Sequence, residues 1–209
     1  MTSAGVVQGG PGGDRALRMG GRVERAAEER GLSARGVRRL SHALEVAMEP
    51  RRRLLPDDHD PRYLHPARVV LILLEDVGCV DSTALAAAAL VESRDWDLRV
   101  PAREILRAVD PDVARFRQTV PVPEAGQGAE TIVEALVLAP RRAQLVALAE
   151  RLDHLRHLHL ASAADGHPEE AARLAKEARD VYLPLAERVD ATLHRRFRWW
   201  CERVGKRWQ

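Results

Sequence analysis

The chain has 209 residues, enough for one domain with a proper core. Apolar residues make up 45% and charged residues 31%, an ordinary globular balance, and no run approaches the roughly 18 apolar residues of a membrane span. A net charge of +2 is too small to imply nucleic-acid binding, and the two distant cysteines, Cys79 and Cys201, exclude a disulfide framework and a CxxC zinc finger.

Residues 1–21, "MTSAGVVQGGPGGDRALRMGG", are glycine-rich and lack the basic-then-apolar pattern of a signal peptide. They read as a disordered tail of a cytoplasmic protein, followed by a single helical domain over 22–209. "RVERAAEERG" forms a helix stopped by Gly31, and Ser33 caps "ARGVRRLSHALEVAMEP", which Pro50 closes. "RRRLLPDDHDPRY" reads as a loop. Pro66 starts "PARVVLILLEDVG", ended by Gly78, and Asp81 or Ser82 caps "TALAAAALVES". Two short helices, "AREILRAV" and "DVARFRQTV", precede the surface loop "PVPEAGQG" and the helix "AETIVEALVLA". "RRAQLVALAERLDHLRHLHLAS" repeats apolar residues at helical spacing for about five turns. The remainder is one long helix or two, with a kink expected at Pro184. No alternating strand pattern has useful length, so the fold class is all-α.

Three places gather side chains that bind metals or move protons. His65 precedes a proline and an apolar helix. Glu92, Asp95 and Trp96 share a face at the end of the alanine-rich helix. Glu150, Asp153, His154 and His157 follow helical spacing on the later helix. Each alone has an ordinary structural explanation: a polar cap, a solvated helix end, a surface ion pair.

Their order carries more. His-Pro opening an apolar helix, an Ala/Leu helix ending in carboxylates, then "LAERLDHLRHL" and finally "PLAER" resembles the hydrolase domain of the RelA/SpoT family. That domain belongs to the HD superfamily of metal phosphohydrolases, and the resemblance runs from about Ser41 to Arg188. It implies an HD-domain helical bundle and removal of the 3′ pyrophosphate of guanosine tetraphosphate, (p)ppGpp, with Mn²⁺ or another divalent cation. The chain ends soon after "PLAER", so no synthetase domain is expected.

The resemblance places the metal on His65, Glu92 and Glu150, with Asp95 as the catalytic base. His154 stands where the family has an asparagine, and Arg52 and Arg53 lie where an arginine before His-Pro helps hold the substrate. The adjacent His-Asp pair that names the superfamily reads Val91-Glu92, and the later aspartate ligand reads Glu150. An isopropyl group cannot coordinate, and each glutamate adds a methylene to a site built for aspartate. A hard cation accepts carboxylate oxygens, so a weaker site stays open. Trp96 replaces a catalytic carboxylate with an apolar ring. Two readings follow: a metal-dependent pyrophosphohydrolase with weak or lost activity, or a non-catalytic nucleotide-sensing or protein-interaction module on the same fold. A third use, contact with nucleic acid or a membrane surface, would rest on the basic, tryptophan-rich stretch "LHRRFRWWCERVGKRW".

Overall fold

A helix of small residues lies at the centre of the molecule. α4 (Ser82–Leu90) buries every residue from Ala84 to Leu90, so it is covered on all sides. Its alanines let neighbouring helices approach closely, and the side chain of Asp81 starts it by accepting from the amides of Thr83 and Ala84. The computed structural model describes residues 12–55, 59–91, 98, 100–122, 129–160 and 168–208. Among these no strand occurs, and no helix is long and apolar enough to cross a membrane.

Around α4 pack α2 (Ala34–Leu54), α3 (His65–Leu71), α6 (Pro111–Gln118) and α8 (Arg141–Leu160). Gly36 eases the close crossing of α2 over the start of α4: a Cβ there would lie 3.1 Å from the Cβ of Ser82. Arg39 fastens the same crossing, donating to Thr83 Oγ1 at 2.9 Å and to Asp110 Oδ2 at 2.9 Å. Asp110 in turn caps α6, after the short α5 (Ala102–Ala108), and Arg117 of α6 donates to the Leu90 carbonyl that ends α4. α7 (Ala129–Leu138) leads into α8.

α1 (Gly12–Glu29) packs on α2 and α3. Residues 12–21 were expected in the tail, yet they continue this helix. Met19, Val23, Ala26 and Ala27 form a stripe against the core at helical spacing, and the surrounding glycines hide that stripe from a composition reading. α2 also runs further than expected. Pro50 lies inside it, and Arg51, Arg52 and Arg53 form its last turn. A proline removes one backbone hydrogen bond, but the buried faces of Ala47, Pro50 and Arg51 hold the helix in place, and the Arg51 guanidinium ties its end to the Arg62 carbonyl at 3.0 Å.

After α3 the backbone widens into a π-helical turn, Ile72–Val77, stopped by Gly78 at φ 71°. The C-terminal part begins with α9 (Pro168–Glu177) and a second π-helical turn, Ala178–Tyr182, which runs into α10 (Leu183–Val189). That widened turn sits just before Pro184, where a ring without an N–H would otherwise clash with the preceding turn. α11 (Ala191–Arg203) starts at the Asp190 cap and packs against α8 and α10, and a 3₁₀ turn, Gly205–Trp208, follows.

Candidate functional site

His65 is the first residue of α3 and is fully buried. The segment leading to it is pinned by Tyr63 and Leu64, which pack with Leu55 and Leu98, and by Arg51, whose Nε donates to the Arg62 carbonyl at 3.0 Å. Pro66 at the first turn keeps the helix start free of an unmet amide. The imidazole of His65 is thus delivered to the middle of α8, 88 residues along the chain.

There it meets Asp153, which is also fully buried. Nδ1 of His65 lies 2.8 Å from Oδ2 of Asp153. Burial alone would raise the Asp153 carboxyl, but the hydrogen bond and charge of His65 and the guanidinium of Arg68 outweigh it and hold the group well below the usual carboxylate range. Asp153 is therefore an acceptor only, and the His65 Nδ1–H is the donor.

Arg68, one turn after His65, closes the arrangement. Its Nε lies 2.9 Å from Oδ1 and 3.1 Å from Oδ2 of Asp153, and its Nη2 lies 3.0 Å from Oδ2 and 2.5 Å from the Pro61 carbonyl. Nη2 also donates to Nε2 of His157, one turn beyond Asp153 on α8. Burial foremost pushes the His157 imidazole down to about 3, which leaves Nε2 as an acceptor for that guanidinium. His154 is buried beside it, with ring centroids 6.3 Å apart, and burial, aided by the charge of Arg151, lowers it well below its ordinary value.

A cation of the kind the resemblance implies can be tested against these groups. By ligand type and spacing they suit one: His65, Asp153 and His157 each offer a donor atom, and these atoms lie within 4.8 Å of one another. This is a possible His/Asp metal site. By charge and occupancy they do not suit one. The Asp153 oxygens already accept from His65 and from two nitrogens of Arg68, and the same guanidinium is directed at His157. A divalent ion and Arg68 cannot hold these atoms together.

The other expected residues fall in different places. Glu150 is buried on α8, with Oε2 4.0 Å from Nε of the buried Arg151, and it does not join the three-donor group among the described residues. Arg151 lies over the ring of Tyr182, 5.4 Å from its centroid. Glu92, Asp95 and Trp96 lie outside the described residues. Val91, immediately before them, ends α4 and is buried in the main apolar core. Arg52 and Arg53 are exposed, Arg52 donating to Glu49 at 3.2 Å. Arg51, in the last turn of α2 and not in a loop, is the buried member of the triplet. The signal for it was present: Leu40, Leu44, Ala47 and Arg51 keep one helical stripe across Pro50. In the basic C-terminal stretch Trp200 is buried and donates from Nε1 to the Leu155 carbonyl at 3.0 Å, while Trp199 is exposed.

The fold has a known counterpart. A solved structure of a metazoan ortholog of SpoT, which hydrolyses ppGpp and plays a role in starvation responses, matches with a TM-score of 0.61 at 20% identity. The match covers 83% of this chain and 97% of that one, and it speaks for the shared fold. No curated protein matches the sequence. The HD domain family model matches residues 43–192, from the middle of α2 through α3, α4 and α8 to the start of α11. With that match spanning most of its length, the chain belongs to the HD domain family.

Proposed function

We propose that the chain binds a guanosine tetraphosphate-type nucleotide on the HD frame and hydrolyses it weakly or not at all. The observation that carries this reading is Val91. It occupies the position where the resemblance puts the family's second imidazole ligand, and it is buried among apolar side chains at the end of α4. The shared fold with a ppGpp-hydrolysing protein supports the ligand class. The altered ligand position supports the weak chemistry, because a metal contributes several kcal/mol of transition-state stabilisation to phosphoryl chemistry. In this reading Arg52 and Arg53, exposed at the end of α2, contact the phosphates, and His154 is the third substrate-binding residue.

Calorimetric titration with ppGpp, alongside pyrophosphate release with and without added Mn²⁺, tests the reading. The expected outcome is saturable ppGpp binding with turnover at least ~10³-fold below that of an HD hydrolase with intact ligands assayed in parallel. Replacing Arg52 and Arg53 together by alanine is expected to weaken binding by roughly tenfold or more while the fold survives. Full-speed Mn²⁺-dependent turnover would overturn the weak-activity half. Absence of ppGpp binding by the folded protein would overturn the nucleotide half in favour of a protein-interaction module.

A further inference from the structure

We infer that Arg68 is the built-in cation of this site: its guanidinium stands in for a divalent metal ion on the ligands Asp153 and His157, and its removal turns the site into a metal-binding one. The inference goes beyond the nucleotide reading and does not depend on it.

Several observations carry it. The three side chains have the chemistry of a metal site, a carboxylate and two imidazoles, all drawn from two helices that meet in the core. Within this group, whose donor atoms lie within 4.8 Å of one another, His65 and Asp153 are fully buried and His157 nearly so, so solvation of idle polar side chains does not account for their meeting. Charge would make the gathering unfavourable without a cation, since a buried carboxylate needs a partner. Arg68 supplies that charge. It reaches Asp153 through Nε and Nη2 and His157 through Nη2, and it shares the acceptor Asp153 Oδ2 with the third ligand, His65. Its side chain is anchored on the same helix as His65, three residues on, so the substitute cation cannot diffuse away as an ion can. The site is thereby fixed in a metal-like arrangement while excluding metals.

The ligand class follows from the donors. Two imidazoles and one carboxylate suit a borderline first-row ion such as Zn²⁺ or Co²⁺ better than Mg²⁺. Removing the guanidinium while keeping its bulk, as in Arg68→Met, should free those atoms. Keeping the charge, as in Arg68→Lys, should leave the site closed.

The test is metal binding in the absence of nucleotide, by equilibrium dialysis with Zn²⁺ and elemental analysis, and by the visible absorption of bound Co²⁺. Arg68→Met is expected to bind about one equivalent, roughly 10²-fold more tightly than the wild type or Arg68→Lys, the scale on which partners around a metal move its affinity. Adding Asp153→Asn to Arg68→Met is expected to abolish uptake. Equal affinity in wild type and Arg68→Met overturns the inference, as does a folded Arg68→Met that binds nothing, or uptake that survives Asp153→Asn. If Arg68→Met does not fold unaided, refolding with Zn²⁺ against refolding with a chelator decides instead: recovery with the ion supports the inference, and indifference overturns it. Because no nucleotide is present, a failure of ppGpp binding and a failure of this experiment are read separately.

Discussion

At Asp153, N–H groups from two residues converge on one buried carboxylate, and the charge balance there governs what else can bind. A divalent ion placed about 4 Å from a retained guanidinium would meet repulsion of about 8 kcal/mol at an effective dielectric of 20, more than such a site readily offsets. The same surroundings set a pH dependence. His157 is faced by Asp153, His65, Arg68 and Asp60, and burial dominates, pushing it from 6.5 to about 3. Above about pH 6.5 neither the folded nor the unfolded chain protonates it, and its contribution to stability is complete. As pH falls toward 3 the unfolded chain takes up the proton and the folded chain does not, so stability is lost with acid. His154 shifts in the same direction. Asp153 is lowered as well, but from the ordinary carboxylate value, so its contribution is lost only below that range and the window between about pH 6.5 and 4.5 belongs to the imidazoles. Urea denaturation at pH 7.5, 6.0 and 5.0 is expected to show stability falling by about 1 kcal/mol per pH unit, and His157→Gln is expected to flatten the slope. A flat profile in the wild type would refute the argument. This residue-level detail was only half legible in the sequence. Glu150, Asp153, His154 and His157 were visible as a group at helical spacing. Which of them faces His65 was not, because α8 is buried on every side from Val146 to Leu155 and offers no solvent-exposed face to fix its rotation.

Helix boundaries divide in the same way. Caps and stops with a local cause, such as Ser33, Asp81, Gly78 and Asp190, sit where side-chain chemistry or a positive φ demands. Proline was the less reliable sign. Pro50 is carried within α2 because the burial of Ala47 in the core and the bond from Arg51 to the Arg62 carbonyl outweigh a lost backbone bond, and Pro184 is accommodated by the widened turn before it. The pairing of α11 with α8 allows a direct comparison. Trp200 is 1% exposed and donates to Leu155, whereas its neighbour Trp199 is 53% exposed. Trp200→Ala is expected to destabilise by about 3–5 kcal/mol, through lost burial and an orphaned carbonyl, and Trp199→Ala by no more than about 0.5 kcal/mol. Denaturant midpoints of the two variants check this. A near-neutral Trp200→Ala would show that α11 is peripheral. On this packing, the tryptophans of the C-terminal stretch divide between the core and the solvent.

Across the whole molecule, the frame was the most legible part. His-Pro, an alanine-rich helix and Leu-Ala-x-Arg-Leu in that order predicted which helices meet, and α3, α4 and α8 do pack on one another. What the order could not convey is how the charges settle once the helices close, since that depends on Arg68, which no motif singles out. The contact between His65 and Asp153 joins segments 88 residues apart and is sealed on both sides. The proton on Nδ1 of His65 is therefore shut away from water for as long as α3 stays on α8. In solution that proton should survive as a distinct, slowly exchanging imidazole resonance, and the rate at which deuterium replaces it should track opening of the entire bundle rather than the fraying of any one helix.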